Sequence, residues 1–418
     1  VSSMDASTQE RVLRNVDQSA MVDLASELIK FPSFKTEETL VARWLEDYFQ
    51  QRDYQVDLQE IEPGRFQTIA TIKGAGGGKS LMLNGHLDIN SLALGWKRDP
   101  WTPSLEGDRL YGHGVQNMKG AVASIIAATE AIRTAGVKLK GDLVIACVAG
   151  ETQGGEGTYY LVQHGPRTDV AVVAEPFGLG NITTVHTGIV HMAIHTYGVS
   201  GHMRHRDKTV NAVHKMTSVI EALQRVQFTY TPREDLPAMP MLNIGSIIGG
   251  RGQSYVLIEP PYVPDLCTIM VDVHFLPGQT VDGIVADIRC SLDPLVEEDP
   301  QLKYEIEIPP PDFFKGRRKL VMDPLDVPAD EYIVQVVARN HERVMGRPPN
   351  HIGATLPSSY SADDTCHLWN AGIPCLIYGP GVGQDEDSAD AYSKVSEMVD
   401  CARVYALTAL EVCGVVEE

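Results

Sequence analysis

The chain has 418 residues, which at roughly 150 residues per domain indicates two or three domains and enough length for a large buried core. Hydrophobic residues make up 43% of the chain and charged residues 22%, as in ordinary globular proteins and unlike disordered ones. The formal net charge is −20, and an acidic surface repels phosphate backbones and anionic membranes, so neither nucleic-acid nor membrane partners are expected. The sequence also contains no apolar run long enough for a membrane span.

The cysteines are seven in number and widely spaced, without a Cys-x-x-Cys pair. This pattern argues against a disulfide framework and a structural zinc site, and it favours a reducing compartment. The first residues, beginning Val1-Ser2-Ser3, lack a basic segment followed by an apolar stretch, so a signal peptide is not expected. We therefore expect a cytoplasmic protein.

A glycine-rich segment, Gly74–Ser80, precedes the first strongly predicted strand. A phosphate-binding loop needs a glycine five residues before its Gly-Lys-Ser end, where this chain has Lys73, and it must open a helix. Here the segment leads instead into the apolar residues Leu81–Leu83. We interpret it as a hairpin turn.

Apolar strands alternate with helices in the next part of the chain. Strands that are apolar on both faces are typical of a parallel sheet covered by helices, and functional groups collect at the carboxyl ends of such strands. The pattern predicts strands at 81–83, 142–148 and 170–174 and helices at 120–135 and 157–164.

The order of elements changes near Thr187, where strands and helices follow the βαββαβ order of a ferredoxin-like unit. The predicted strands are 191–198, 242–248, 268–275 and 304–308, and the predicted helices are 211–226 and 281–295. Pro309-Pro310-Pro311 ends this stretch, and helices at 331–345 and 395–412 with a strand at 374–378 return to the earlier pattern. The sequence therefore predicts an α/β domain with a mostly parallel sheet, residues 1–186 and 310–418, interrupted by an inserted α+β domain at residues 187–309.

Polar residues follow three predicted strands of the first domain. His86 and Asp88 follow the first strand, Glu151 the second and Glu175 the third. A carboxylate at the end of a buried strand is costly unless it is paired or functional, and an acid near a histidine commonly orients it as a metal ligand. Each residue alone is also compatible with a solvated turn, but together they predict a divalent cation held by nitrogen and oxygen ligands.

A further polar cluster, residues 112–120, is a glycine-rich loop that enters a predicted helix. Asn117 lies in this loop where a helix N-cap is expected. For this residue alone, capping of the helix is the simplest interpretation.

The ordered clusters resemble the co-catalytic zinc metallopeptidases that include aminoacylase, glutamate carboxypeptidase and succinyl-diaminopimelate desuccinylase. The resemblance implies a metal-binding catalytic domain interrupted by a lid and dimerisation domain. The motifs that carry it are Asn84-Gly85-His86-Leu87-Asp88, Tyr111-Gly112-His113-Gly114, Met118-Lys119-Gly120, Glu151 with Gly154-Gly155-Glu156-Gly157-Thr158, Ala174-Glu175-Pro176, Gly201-His202, Asn211-Ala212 and Gly379-Pro380-Gly381.

For the metal, the resemblance implies a first site at His86, Asn117 and Glu175. The family has a bridging aspartate where this chain has Asn117, and the remaining ligands of a second site fall on Thr152 and near Ser393. A neutral amide and two hydroxyls are poor ligands. We therefore expect one exchangeable divalent metal per chain, Mn²⁺, Co²⁺ or Zn²⁺.

The resemblance also implies catalytic roles. Glu151 matches a general base that takes a proton from the attacking water and passes it to the leaving nitrogen, and Asp88 is expected to orient the histidine ligand. His202 matches a lid histidine that reaches the site of a partner subunit and stabilises the developing oxyanion, with a plain surface histidine as the alternative. That role for His202 requires a homo-oligomer, at least a dimer.

Substrate recognition departs from the family. Arginines that commonly meet substrate carboxylates are replaced by His274 and Cys366. His274 remains a hydrogen-bond donor, but a bidentate guanidinium clamp is lost. Arg204, in a basic run, could compensate, although a solvated loop is the simpler interpretation of that run.

Three functions are compatible with these residues. The first is a metal-dependent hydrolase that cleaves a non-peptide C–N bond of a small carboxylate-bearing substrate; it resembles the aromatic aminohydrolase branch of the family, which converts 5-nitroanthranilate to the salicylate. The second is amide hydrolysis of an N-acyl amino acid or a dipeptide. The third is a protein that binds a ligand without turnover, which the retained Glu151 and His202 disfavour.

Overall fold

The computed structural model describes residues 6–256, 260–314, 317–381 and 388–417. The described residues form two compact units, one from the residues up to His186 and from Leu325 onward, and the other from Thr187 to Pro324. The second unit extends beyond the predicted residue 309 because the chain returns to its first strand, where Ile189 and Met322 exchange two backbone hydrogen bonds of 2.8 and 3.0 Å. Among the described residues, no helix is both long and apolar enough to cross a membrane.

The strands of the described residues, in chain order, are β1 (Gln55–Glu62), β2 (Arg65–Ile72), β3 (Leu81–His86), β4 (Ser104–Glu106), β5 (Arg109–Tyr111), β6 (Leu143–Val148), β7 (Val170–Val173), β8 (Asn181–His186), β9 (Gly188–Tyr197), β10 (Gly201–His202), β11 (Met241–Gly250), β12 (Tyr262–Val263), β13 (Leu266–Phe275), β14 (Lys303–Glu307), β15 (Leu325–Asp326), β16 (His351–Ala354), β17 (Cys375–Ile377) and β18 (Tyr392–Lys394). The α-helices are α1 (Ala6–Arg14), α2 (Gln18–Ile29), α3 (Thr39–Gln50), α4 (Gly120–Thr134), α5 (Glu156–His164), α6 (Ala212–Leu223), α7 (Val281–Glu298), α8 (Tyr332–Met345), α9 (Thr365–Asn370) and α10 (Val395–Cys413).

A large mixed sheet forms the centre of the first unit. Its described strands follow the order β1-β2-β6-β3-β7-β17-β8-β15, with β16 paired to β8. The pairs that join β6, β3, β7 and β17 are parallel, whereas β1–β2, β2–β6, β17–β8 and β15–β8 are antiparallel. The predicted α/β class is therefore confirmed, with a parallel centre and mostly antiparallel margins.

The glycine-rich segment 74–80 is not a hairpin turn, so that interpretation was wrong. It connects β2 to β3, which lie on opposite sides of β6. The connection therefore passes the end of β6, where the amide of Ala75 donates to the carbonyl of Leu139 over 2.9 Å and that of Gly76 to Lys140 over 2.7 Å.

The packing of α4 on β3 positions residues beside the predicted metal site. Gly85 on β3 permits close approach, because a Cβ atom there would lie 2.9 Å from Cγ2 of Val122 on α4. The residues just before α4 therefore lie against the end of β3, where Sδ of Met118 is 3.3 Å from the backbone nitrogen of His86.

The second unit has the βαββαβ order of a ferredoxin-like fold. Its four-stranded described sheet follows the order β11-β13-β9-β14, with antiparallel pairing throughout. One face of β9, including Val190, Met192 and Ile194, shares a buried cluster with residues of α6 and α7. The intervening residues, such as His191 and His195, point to the opposite face, because side chains alternate along a strand.

Candidate metal centre

Three strand ends bring the predicted site residues together. Because β6, β3 and β7 are neighbours in the sheet, the residues that follow or end them meet at one edge. One ligand atom each from His86, Glu151 and Glu175 lies within 4.8 Å of the others, and all three side chains are buried.

The His86 ring is oriented by hydrogen bonding on one side. Its Nδ1 lies 2.9 Å from the backbone carbonyl oxygen of Asp88, and because a carbonyl only accepts, Nδ1 carries the proton. In the neutral ring, Nε2 then presents a lone pair. Facing it are two oxygens, Oδ1 of Asn117 at 2.8 Å and Oε1 of Glu175 at 3.4 Å. Three electron-pair donors that converge in this way fit a divalent cation that prefers nitrogen and oxygen ligands.

The charges and hydrogen bonds around the His86 ring favour a positive charge there. Burial lowers the pKa of His86, but the charges of Asp88 and Glu151, together with hydrogen bonds to Asn117 and the Asp88 backbone, outweigh burial and raise that pKa above its ordinary value. The surrounding oxygens therefore stabilise a cation beside the imidazole, which agrees with the chemistry of the donor set.

Asn117 does not cap a helix. Helix α4 begins at Gly120 and has Lys119 at its N-cap position. The Asn117 side chain, which is half-buried, instead turns its amide oxygen to His86. The capping interpretation is therefore wrong, and the residue belongs to the site by position.

Asp88 ties the histidine to the loop that follows β6. Its Oδ1 accepts the backbone N–H of Glu151 at 3.1 Å, and its Oδ2 accepts both the N–H of Thr152 at 3.0 Å and the Thr152 hydroxyl at 2.5 Å. Burial raises the pKa of Asp88, but the charge of His86 and these hydrogen bonds outweigh burial and hold it below its usual range. Asp88 is therefore an ionised, fully buried acceptor.

The two hydroxyls at the expected second-site positions have acceptors within the protein. The Thr152 hydroxyl donates to Asp88. Ser393 lies on β18 and donates its hydroxyl proton to the Val115 carbonyl over 3.1 Å. Residues 382–387, which precede Ser393, lie outside the described part of the chain.

Asp364 is a buried acid near the site that the sequence did not single out as functional. It occupies the N-cap position of α9, and its Oδ1 would lie 2.7 Å from a Cβ atom on Gly155, in the loop after Glu151. Burial, followed by the charges of Glu151, Asp363 and Asp88, raises the pKa of Asp364 well above its ordinary value. A carboxyl that resists ionisation therefore neighbours this loop.

His202 and Arg204 belong to the second unit. The Nδ1 atom of His202 accepts the backbone N–H of Arg204 at 3.3 Å, and its ring meets that of Tyr262 edge-on at 5.5 Å. The Arg204 side chain is exposed, and its Nε lies 3.3 Å from Nε2 of His205.

His274 also belongs to the second unit, where it forms a polar row with His191 and Asp272. Oδ2 of Asp272 lies 3.2 Å from Nε2 of His274, and Oδ1 lies 3.4 Å from Nε2 of His191. Burial raises the pKa of Asp272, but the hydrogen bond from His274 and the charges of His274, His191 and Arg318 hold it below its ordinary value. The carboxylate therefore orients the His274 ring.

Comparison with known proteins agrees with this geometry. The sequence pattern of Peptidase family M20/M25/M40 matches residues 82–411. N-formyl-4-amino-5-aminomethyl-2-methylpyrimidine deformylase of Bacillus subtilis (strain 168) is 26% identical over 436 residues, which cover 95% of this chain and 95% of that protein. Acetylornithine deacetylase of Salmonella newport (strain SL254) is 28% identical over 365 residues, which cover 85% of each.

A similar fold is found among solved structures. The dipeptidase Dug1p from Saccharomyces cerevisiae superposes with a TM-score of 0.74 at 12% sequence identity, covering 98% of this chain and 99% of that one. At this identity the likeness concerns the fold alone.

Proposed function

The chain belongs to Peptidase family M20/M25/M40 and is a metal-dependent hydrolase of C–N bonds, and from this premise we propose that it hydrolyses the amide of a small N-acyl compound with one bound divalent cation. The observation that carries the proposal is the convergence of His86 Nε2, Asn117 Oδ1 and Glu175 Oε1, with Glu151 within reach. The names of the deformylase and deacetylase relatives, whose matches span 85% or more of this chain, support an acyl group as small as formyl or acetyl.

The cation would be held by His86, Asn117 and Glu175. When bound, it would supply Lewis acidity that polarises the substrate carbonyl and lowers the pKa of water. A single ion is supported by the neutral amide of Asn117 and by the Thr152 hydroxyl, which is engaged with Asp88. With one histidine and one carboxylate among its ligands, the site suits an exchangeable Mn²⁺, Co²⁺ or Zn²⁺ ion.

Glu151 is the proposed general base. Its carboxylate is buried and lies near the His86 ring, so it can accept a proton from the attacking water and return it to the leaving nitrogen. Asp88 has a positioning role, because it accepts hydrogen bonds from the Glu151 backbone and holds the loop that carries the base.

The second unit is proposed to act as lid and dimerisation domain. His202 would stabilise the oxyanion in the site of a partner copy, which requires a homo-oligomer, and His274 with Arg204 would meet a small carboxylate-bearing substrate. The orientation of the His274 ring by Asp272 supports a defined donor at this position. A cytoplasmic location stays a prediction, supported by seven cysteines that are all free thiols.

A second candidate function is hydrolytic deamination of an aminobenzoate such as 5-nitroanthranilate. It is favoured by one observation, the ligand set with an amide at Asn117 and with Thr152 turned toward Asp88. Attack on an electron-poor ring places developing charge mainly on the ring substituent, so a single weakly held Lewis acid would suffice.

The test is metal analysis followed by a substrate screen. Purified protein is loaded with Mn²⁺, Co²⁺ or Zn²⁺ and assayed for release of formate, acetate or amine from N-formyl and N-acyl compounds, and for ammonia release from aminobenzoates. We expect one ion per chain and turnover of N-acyl compounds. Ammonia release from aminobenzoates alone would favour the second candidate, whereas two ions per chain would overturn the single-metal site. Failure to bind any of these metals would indicate a ligand-binding protein without turnover.

Substitution of the base completes the test. Glu151→Gln should lower kcat by about 10²- to 10⁴-fold while the metal is retained. The exposed Glu221→Gln, which removes one charge from the second unit, is the matched control and should leave kcat unchanged. A fully active Glu151→Gln variant would refute the role of this residue.

A further inference from the structure

A buried arginine lies behind the loop that carries Glu151. Arg65, at the start of β2, is buried and forms a two-pronged ion pair with the fully buried Glu38, with Nη2–Oε1 and Nε–Oε2 distances of 2.7 and 3.0 Å. This planar, bidentate geometry is available to a guanidinium and not to an ammonium group. Glu38 therefore fixes the orientation of the Arg65 side chain.

Arg65 also donates to the loop itself, in addition to a 3.2 Å contact between its Nη1 and Oε2 of Glu62. Nη1 donates to Oε2 of Glu156 over 2.6 Å, and Nη2 donates to Oε1 of Gln153 over 3.1 Å. The guanidinium also packs directly against Gly150, where a Cβ atom would lie 2.6 Å from Nη2. Arg65 thus contacts Gly150, the residue immediately before Glu151, and the side chains of Gln153 and Glu156 after it.

The loop needs such anchors because its backbone is permissive. Gly150, Gly154 and Gly155 have φ values of 73, 108 and 73°, a left-handed region that glycine enters without steric cost. Glycine also loses more conformational freedom on folding than other residues do, so a loop with three glycines is costly to hold in one conformation. Asp88 holds the amides of Glu151 and Thr152 from one side, and Arg65 holds the side chains of the loop from the other.

We propose that Arg65, clamped by Glu38, is a positioning residue that holds the loop of residues 150–156 and so fixes the Glu151 carboxylate for proton transfer. The inference rests on the proposed role of Glu151 as general base. Arg65 acts through Gln153, Glu156 and the Gly150 backbone, without touching the substrate. Substrate binding through other residues should therefore be spared when Arg65 is changed.

The experiment compares Arg65→Lys, the double variant Arg65→Met with Glu38→Gln, and the wild type. The double variant removes the Arg65 and Glu38 charges together, so that the fully buried Glu38 carboxylate is not left unpaired, whereas Glu156 and Glu62, which are 12% and 40% exposed, lose their partner. The N-acyl compound turned over by the wild type is the substrate. We expect kcat to fall at least about tenfold with KM within about twofold, and the metal content to stay at the wild-type level.

A second readout is independent of catalysis. Hydrogen exchange at the amides of Glu151 and Thr152 should accelerate at least about tenfold in the variants, since the loop opens more often. If the wild type hydrolyses none of the compounds, the proposed function fails, and amide exchange alone still decides whether Arg65 holds the loop. Unchanged exchange in a folded variant would overturn the inference.

Controls separate positioning from general destabilisation. Ile132→Val in the buried core lowers stability without touching the loop, and Arg133→Met removes an exposed ion pair with Glu130; neither should change exchange at Glu151. Where the Arg65 variants do not fold, Glu156→Leu with Gln153→Leu removes both side-chain acceptors of the loop and leaves the Arg65–Glu38 pair intact. This variant should show the same loss of kcat, and wild-type kcat would refute the clamp.

Discussion

Thr152 donates its hydroxyl proton to Oδ2 of Asp88 over 2.5 Å. The same carboxylate accepts the backbone amides of Glu151 and Thr152, and its Oδ1 lies 3.6 Å from Nδ1 of His86. One buried anion therefore joins the proposed metal ligand to the proposed base. A change at Asp88 should disturb both together, whereas a change at Thr152 should disturb only one of the three hydrogen bonds.

Asp88→Asn should weaken metal binding about 10- to 100-fold and lower kcat, because the amide cannot accept the same three hydrogen bonds on two anionic oxygens. Metal affinity is measured by competition with a chelator, and kcat with the N-acyl substrate. Thr152→Val, which keeps both backbone donors, is the comparison and should lose less of each. Equal effects of the two substitutions would contradict the shared-anchor role of Asp88.

Asn117→Asp should tighten binding of the single metal at least about tenfold, equivalent to about 1.4 kcal/mol, because a carboxylate replaces a neutral oxygen beside the cation. The dissociation constant is measured by titration with Mn²⁺ and Zn²⁺. Asn350→Asp adds the same charge at an exposed position of the first unit and should leave affinity unchanged. If both variants bind the metal alike, Asn117 is not a ligand.

Asp364→Asn should stabilise the protein more at neutral pH than in acid. Burial raises the pKa of Asp364 well above the ordinary 3.8, so the folded state binds more protons than the unfolded state in that interval. The free energy of unfolding of the wild type therefore falls as pH rises from about 3.8 through the raised pKa. Asparagine does not ionise, so the Asp364→Asn variant lacks this decrease in stability. Thermal unfolding of both proteins from about pH 4 to pH 8 measures it. A stability difference that is constant with pH would show that Asp364 does not titrate in this way.

Gly150→Ala should lower kcat, because the new Cβ would lie 2.6 Å from Nη2 of Arg65 in addition to adopting a φ of 73°. Gly107→Ala is the matched control: its φ is 61° and a Cβ there has no atom within 4 Å. Both variants carry the cost of a left-handed alanine, on the order of 1 kcal/mol, seen in thermal unfolding. Only Gly150→Ala should also lose activity, and equal kcat values in the two would argue against a tight contact at Gly150.

The parts of the fold that sequence predicted are those with strong local patterns. The apolar runs of β3, β6 and β7 predict a parallel centre, and α6 and α8 begin within a residue of the expected starts, at Ala212 and Tyr332. Strands β1 and β2 were missed. Strand β1 is largely polar and only its Gln59 is buried, so it lacks the apolar run by which buried strands are recognised.

From the residues alone, the candidate site was predicted where neighbouring strands bring it together, and Asn117 was added only through the resemblance to the metallopeptidases. His86, Glu151 and Glu175 follow adjacent parallel strands, and a topological rule suffices to expect them at one edge. Arg65 and Glu38 followed no such rule, since Arg65 contacts partners 27 residues before it and 91 residues after it. Long-range pairing of this kind becomes visible only once the chain is folded.

The strand order has a consequence for biosynthesis. Strand β17 lies between β7 and β8, although the whole second unit and helices α8 and α9 separate it from them in the chain. The proposed site residues His86, Asn117, Glu151 and Glu175 therefore leave the ribosome long before β17, which is one of the two strands that flank β7. A nascent chain can fold the second unit first, as a local βαββαβ motif, while the mixed sheet of the first unit still lacks its late strands. The mixed sheet that carries the proposed ligands is thus complete only at the final stage of synthesis.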